Sequence, residues 1–107
     1  MTAPLPEPVR TSIDATNRGD LSAFLGTFTP DGSVDDWGRV FRGEAKITEW
    51  SNNEYIGKNV SLDVTSVSAD GDDVVVIATV GGDGFNGPST FTYTLDGDRV
   101  SRMMIRE

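Results

Sequence analysis

The sequence predicts an α+β fold in which a curved antiparallel sheet wraps around helices from the N-terminal half. Two observations predict it. Apolar residues recur at helical spacing in the first half of the chain, whereas from Val60 onward they alternate with polar residues, as in strands. A run of helices followed by a run of strands is typical of α+β folds. The length of 107 residues fits one domain, which we expect to span residues 1–107.

Two helices are predicted before residue 30. In the first, Val9, Ile13 and Thr16 follow a spacing of about 3.6 residues, and the helix is expected to end near residues 17–19. Asp20 is a suitable N-cap for the second helix. The apolar residues of that helix fall at the spacing of one helix face, and they are Leu21, Phe24, Leu25 and Phe28.

A turn, a short strand and a third helix are predicted next. The Pro-Asp-Gly segment at residues 30–32 is typical of a turn, and residues 33–37 are expected to form a short strand. After Gly38, residues 39–42 either pair back or continue it. The third helix is predicted over residues 44–53, with its inward-facing aromatic and apolar residues being Ile47, Trp50 and Tyr55.

Four strands are predicted to complete the chain as a meander. Apolar and polar residues alternate from Val60 to Val64, and a change of phase at Val67 predicts a β-bulge. Residues 74–80 are apolar on both faces, which is typical of a central strand. The remaining predicted elements are a Gly-rich hairpin loop at residues 81–88, a strand at 89–95, a tight turn at 96–97 and a last strand at 100–105.

The charge of the chain argues against nucleic-acid and membrane partners. Nine Lys and Arg against seventeen Asp and Glu give a net charge of -8, which repels phosphate backbones and anionic lipid surfaces. The basic residues are scattered rather than clustered. The N-terminus carries no pattern of a secretory signal, so a cytoplasmic location is expected.

The absence of Cys and His narrows the possible chemistry. It excludes Ser-His-Asp and Cys-His catalysis, and it leaves only oxygen ligands for a metal. The acidic turn at residues 70–73 lacks the spacing of an EF-hand. We therefore expect no metal and no cofactor, and any acid–base catalysis would fall to Asp, Glu, Tyr or Lys.

Three segments carry a resemblance to a known superfamily: IDATNRGDL at residues 13–21, FLGTF at 24–28 and DGSVDD at 31–36. They resemble the opening of nuclear transport factor 2-like proteins, a superfamily that includes SnoaL-like polyketide cyclases, ketosteroid isomerases and limonene-epoxide-hydrolase-type enzymes. With the third helix and the meander, the resemblance covers nearly the whole chain. It implies a cone-shaped sheet that closes over an apolar pocket for a small hydrophobic ligand.

The resemblance implies that Asp36 is the catalytic residue. In ketosteroid isomerases the short strand carries a Val-acid-Asp sequence whose second acid is the general base, and residues 34–36 resemble it. Because Asp35 and Asp36 are adjacent in a strand, they point to opposite faces and only one can enter the cone. The resemblance places Ser12 and Ser89 where those isomerases carry their Tyr and protonated Asp oxyanion donors. Since losing one oxyanion donor typically costs about 10²–10³ in rate, these serines argue against steroid-type isomerisation.

Further candidate ligand-binding residues come from separate parts of the chain. Trp50 resembles an aromatic pocket residue on the third helix, and Tyr93 is a possible hydroxyl donor. Phe85 would plug the mouth if the Gly-rich loop acts as a lid; otherwise the loop is a plain hairpin connection. Arg39 either forms a solvated ion pair with a neighbouring aspartate or orients a ligand carboxylate.

The predicted assembly and activity follow from the same features. Val75 and Ile77 make the convex face of the sheet partly apolar, and a homodimer through this face would cover it. The first functional hypothesis is an isomerase or cyclase that uses Asp36 as general base on a hydrophobic carbonyl compound. The alternatives are a noncatalytic ligand-binding protein and a protein-interaction module of the same fold.

Overall fold

The computed structural model describes residues 5–106 of the chain. The first half contains three helices and the first two strands, and the remaining four strands make up the second half. The elements are α1 (Glu7–Arg18), α2 (Leu21–Gly26), β1 (Phe28–Asp36), β2 (Arg39–Arg42), α3 (Glu44–Glu54), a 3₁₀ turn (Ile56–Lys58), β3 (Ser61–Asp70), β4 (Asp73–Gly81), β5 (Gly87–Asp96) and β6 (Arg99–Arg106).

The described strands form one six-stranded sheet in the order β2-β1-β6-β5-β4-β3. The α+β class and the curved sheet around three helices are confirmed. The sheet is not closed, because β2 and β3 are its two edges. It is also not wholly antiparallel, since β1 pairs with β6 in parallel. No hairpin joins these two strands, so no tight turn forces them to run in opposite directions.

The sequence Asn17-Arg18-Gly19-Asp20 sets the junction between α1 and α2. Gly19 ends α1 in the left-handed conformation, at φ 69°, which glycine adopts at little cost. Asp20 accepts a hydrogen bond from the backbone N–H of Ala23 at 3.1 Å, so it caps α2 as predicted. The reversal between the two helices therefore depends on these few residues.

Asn17 attaches α1 to the free edge of the sheet. Its Nδ2 donates to the carbonyl oxygen of Leu62 at 3.0 Å, and its Oδ1 accepts from the N–H of Leu62 at 2.7 Å. Leu62 lies in β3, an edge strand with no further strand beside it. The side-chain amide thus supplies both bonds that a neighbouring strand would have made.

The predicted turn at residues 30–32 was wrong. Helix α2 ends at Gly26 rather than near Phe28, and the Pro-Asp-Gly segment lies within β1. It forms an irregularity there, since Phe28 pairs with Val100 but Ser33 already pairs with Arg102. Pro30 has no N–H to donate to a ladder, so the segment bulges out of the register. The Pro-Asp-Gly pattern therefore corresponds to a bulge within β1 and not to a turn between two elements.

The later elements agree with the sequence. Helix α3 has nearly the predicted bounds, and β2 pairs back onto β1 as an antiparallel hairpin. The register of β3 against β4 shifts between Val64 and Ser66, which confirms the predicted β-bulge. On β4, the side chains facing the helices are buried, whereas Val75 is half-buried and Ile77 is exposed on the other face.

Aromatic side chains link the helices to the sheet through the core. Phe24 of α2 contacts the ring of Phe28 edge-on, with centroids 5.2 Å apart, and that of Tyr55 at 5.4 Å. Tyr55 stacks on Trp50 at 4.7 Å, and Trp50 contacts Phe41 of β2 at 6.1 Å. This row of rings runs alongside α3 and fixes its distance from the sheet.

None of the helices in residues 5–106 is both long enough and apolar enough to span a membrane.

Replacing Asn17 with Ala tests the attachment of α1 to β3. We expect the free energy of unfolding to fall by about 1–2 kcal/mol, because two hydrogen bonds to the backbone of Leu62 are lost. Urea denaturation measures the change. The matched control is Asn52→Ala, an exposed Asn on α3. Equal stability of the two variants would contradict the role given to Asn17.

Candidate functional site

A pocket of about 380 Å³ opens at one end of the molecule. It lies between the C-terminal half of α3, the β1–β2 hairpin and the inner face of β4, β5 and β6. Trp50, Tyr55 and Phe91 form an aromatic wall on its inner side, and all three are nearly fully buried. Trp37 and Phe85 stand at its mouth, each more than half exposed.

Strand β1 brings Asp36 to the pocket through the alternation of its side chains. Val34 is fully buried toward the helices, and Asp36, two residues later, faces the same side with 14% of its side chain exposed. Its Oδ2 accepts a hydrogen bond from Trp50 Nε1 at 3.0 Å and another from Arg39 Nη2 at 2.6 Å. Among residues 5–106, no group donates to Oδ1, so that oxygen is available to a ligand.

Arg39 joins two carboxylates into what we call the rim network, Asp36–Arg39–Glu54. Its guanidinium bonds both oxygens of Glu54, at 2.7 and 2.9 Å, and lies 5.7 Å from the centroid of the Phe41 ring. The hydrogen bond with Glu54 is the main reason that the pKa of Arg39 is raised above its usual value. Because Arg39 is half exposed, these ion pairs contribute little stability, and their main effect is to orient Asp36.

Asp35 lies on the opposite face from Asp36. Its two oxygens accept from Arg106 at 3.1 and 3.2 Å, and Oδ1 also accepts from the N–H of Gly38 at 2.8 Å. The hydrogen bonds from Arg106 hold the pKa of Asp35 below its ordinary value of 3.8. Asp35 therefore holds the β1–β2 turn against β6, while Asp36 lines the pocket.

Ser89 and Phe85 also line the pocket, from β5 and the loop before it. Ser89 is buried, whereas Phe85 is exposed at the mouth. The loop is anchored, because Asp83 accepts from Asn59 Nδ2 at 2.7 Å and Asn86 Nδ2 donates to the carbonyl of Gly82 at 3.0 Å. These hydrogen bonds hold the loop in place, with Phe85 at the mouth of the pocket.

Ser12 and Tyr93 lie deeper than the pocket lining. Both are buried in the core. Burial raises the pKa of Tyr93, although the nearby Ser12 hydroxyl partly offsets the rise. The structure thus brings five of the predicted site residues together and places these two beneath them.

The sequence interpretation missed Glu54, Tyr55, Lys58 and Phe91 as pocket residues. Glu54 follows Trp50 by four residues, so the two share one helix face, and this spacing was a usable signal. Tyr55 is predicted only to face inward, and Phe91 only to lie in the strand at residues 89–95. For Lys58, which lies in the 3₁₀ turn after α3, no pattern in the sequence indicates the pocket.

A second cleft, of about 400 Å³, lies at the other end of α3. It is lined mainly by α2, the start of β1 and the first turn of α3, and Phe28 is its one aromatic side chain among the described residues. Residues 5–106 contain no group of three or more acidic side chains arranged to hold a metal ion. The pocket at Asp36 is the better candidate because it combines an aromatic wall with an oriented carboxylate.

The open sheet curved around three helices is the fold of the nuclear transport factor 2-like proteins. Within that class, the chain belongs to the family of SnoaL-like domains, whose model matches residues 9–103. No match was found among curated proteins.

Solved structures with the same fold include proteins of several kinds. A proposed polyketide cyclase from Sinorhizobium meliloti is 29% identical, with a TM-score of 0.86 and 95% of each chain covered. A protein with a ketosteroid isomerase-like fold from Catenulispora acidiphila, solved in complex with trimethylamine, is 23% identical, with a TM-score of 0.80, and the alignment covers 97% of this chain and 87% of the other. The Anabaena Orange Carotenoid Protein binding canthaxanthin is 16% identical, with a TM-score of 0.84, and the alignment covers 97% of this chain but 37% of that protein.

Proposed function

We propose that this protein binds a small, mainly apolar molecule in the pocket, with Asp36 as its principal polar contact. The observation that carries the proposal is the position of Asp36 beside an aromatic wall, with one oxygen anchored and the other unpartnered among the described residues. A pocket of about 380 Å³ is within the usual range for small-molecule sites. An apolar body would lie against Trp50 and Phe91, and a hydrogen-bond donor on the ligand would reach Asp36 Oδ1.

The rim network supports a defined orientation of that contact. Trp50 and Arg39 both hold Oδ2, so the carboxylate has little freedom to rotate. A side chain that is already fixed in this way loses less conformational entropy when a ligand binds. Trp37 and Phe85 at the mouth would cover the outer part of the ligand.

Proton transfer by Asp36 is the catalytic form of this proposal. Its Oδ1, which no described residue engages, is the oxygen that would accept a proton. Asp36 would take a proton from a carbon beside a carbonyl group and return it to another carbon of the same molecule, as an isomerase or cyclase requires. The likeness to a proposed polyketide cyclase supports this form.

Noncatalytic binding is the second form, and one observation favours it. In the pocket, Ser89 is the only lining hydroxyl apart from Tyr55 among the described residues, whereas Ser12 and Tyr93 lie outside the lining. Few hydroxyl donors therefore line the pocket for the negative charge that proton abstraction would create. A carotenoid-binding protein and a trimethylamine complex share the fold, which supports ligand binding without deciding the reaction.

The pair Asp36→Asn and Asp35→Asn tests the proposal with a built-in control. Both variants remove the same charge from adjacent positions, but only the first lies in the pocket. We expect a thermal-shift screen of steroids, aromatic polyketide-like compounds, terpenoid epoxides and hydrophobic acids to find a compound that stabilises the wild type. At a ligand concentration of a hundred times the Kd, the free energy of unfolding should rise by about 2.7 kcal/mol.

Asp36→Asn should weaken that binding at least about tenfold, because a charged hydrogen-bond partner is lost. Asp35→Asn should leave the affinity unchanged. Product analysis of the same mixture then separates catalysis from binding. Equal affinity of wild type and Asp36→Asn would count against the proposal.

We also propose a homodimer through the convex face of the sheet. Ile77 is 40% exposed there, beside half-buried Val75 and a partner strand of threonines that includes Thr90 and Thr92. An antiparallel sheet is normally polar on a solvated face, so this apolar strip favours contact with a second copy.

Sedimentation velocity on Ile77→Glu tests the dimer. The variant should sediment as a monomer at concentrations where the wild type is a dimer, because a buried charge without a partner disfavours the interface. Val40→Glu on edge strand β2 is the control, since Val40 is similarly exposed but far from the strip. A monomeric wild type would contradict this proposal.

A further inference from the structure

Lys58 is a cationic side chain of the pocket lining that the rim network does not include. The lining contains two cationic side chains, Arg39 and Lys58. Arg39 already bonds both oxygens of Glu54 and one oxygen of Asp36. Each ion pair among residues 5–106 uses an arginine, and none involves Lys58. Arg39 is thus engaged within the chain, whereas the ammonium group of Lys58 is available to a ligand.

The backbone of Lys58 is held from two sides. Its N–H donates to the carbonyl oxygen of Tyr55 at 2.9 Å, and its own carbonyl oxygen accepts from the N–H of Asp83 at 2.8 Å. The second bond joins the 3₁₀ turn to the loop that carries Phe85. This close approach needs a glycine, because a Cβ on Gly82 would lie 2.8 Å from the carbonyl oxygen of Lys58. The fold therefore fixes the point from which the lysine side chain extends.

Lys58 and Asp36 lie on different sides of the pocket. The pocket floor crosses the sheet from β1 through β6 and β5 to β4, and its lining residues on these strands are Asp36, Ile105, Ser89, Phe91 and Val80. Lys58 comes shortly before β3, the strand beyond β4, and its carbonyl bonds the loop that follows β4. Since neighbouring strands lie about 4.8 Å apart, β1 and β4 are about 14 Å apart along the sheet. A ligand that reaches both side chains therefore crosses most of this floor.

The two sides differ in charge. The rim network contains two carboxylates and one guanidinium, so it carries one net negative charge. An anionic group on a ligand is repelled from that side, whereas Lys58 attracts it. A hydrogen-bond donor on the ligand has the opposite preference, because Asp36 Oδ1 is an acceptor. The pocket therefore distinguishes the two ends of a ligand.

We propose that Lys58 binds the carboxylate of an apolar acid whose other end donates a hydrogen bond to Asp36. This inference rests on the proposed function and names its ligand class. The apolar body lies on Phe91 and Val80, and Phe85 covers it at the mouth. Because Lys58 is exposed, the carboxylate beside it keeps much of its hydration, and its transfer from water is not prohibitive. One lysine balances one negative charge, which favours a carboxylate over a doubly charged phosphate.

Lys58→Gln and two matched probes test this inference. The probes are the para,para′-substituted hydroxybiphenyl carboxylic acid and its primary amide, which share an apolar body and a hydroxyl donor but differ in charge. In calorimetric titrations at neutral pH, wild type should bind the acid about fivefold more tightly than the amide, as a partly exposed ion pair implies. Lys58→Gln should bind the two probes equally, because the charge that distinguishes them is lost.

Two further variants serve as controls. Lys46→Gln removes the same charge from an exposed position in the first turn of α3, at the end of that helix away from the pocket, and should keep the preference for the acid. Lys58→Arg should also keep it, because a guanidinium binds a carboxylate as well. Both Lys58 variants are expected to fold, since the lysine is exposed and the two hydrogen bonds that hold it are made by its backbone.

Three results would overturn the inference. They are equal affinity of wild type for the acid and the amide, a preference for the acid that survives in Lys58→Gln, and a preference that Lys46→Gln abolishes as well, which would assign it to the overall charge of the protein. The proposed function fails in a different way. It is contradicted if neither probe binds wild type, or if Asp36→Asn binds both probes as tightly as wild type does, and the inference then fails with it.

Discussion

The hydrogen bond from Trp50 to Asp36 is the interaction on which the site depends. It connects α3 to the end of β1 at the point where the pocket opens, and it fixes both the aromatic wall and the carboxylate. Arg39 reinforces it by pairing with Asp36 and with Glu54, one helical turn beyond Trp50. These contacts fix the position of the C-terminal half of α3 relative to the end of β1, where the pocket lies.

The same arrangement explains why the two adjacent aspartates differ. The alternation of β1 sends Asp36 toward the helices and Asp35 toward Arg106. The carboxylate of Asp35 is bound by Arg106, whereas that of Asp36 keeps one oxygen that no described residue engages. The fold itself supports many unrelated activities, so this site, and not the family alone, carries the functional proposal. A cytoplasmic location and a domain spanning residues 1–107 stay predictions.

Local patterns allowed much of this to be predicted from the sequence. Gly19 and Asp20 mark a helix end and a helix start through backbone chemistry that depends on neighbours in the chain, and the alternation of β1 predicts opposite faces for its aspartates. What could not be predicted depends on distant residues. Arg39 pairs with Glu54, fifteen residues away, and β1 pairs with β6 from the far end of the chain.

The indole N–H signal of Trp50 in a ¹⁵N NMR spectrum tests the central claim most directly. The chain has two tryptophans, so a Trp37→Phe variant leaves Trp50 as the only indole signal. If the pocket binds apolar molecules against Asp36, titration with a compound found in the thermal-shift screen should shift this signal saturably, while the backbone amides of Ser22 and Glu44 in the second cleft stay in place. A Trp50 signal that does not move while those amides shift would contradict the account.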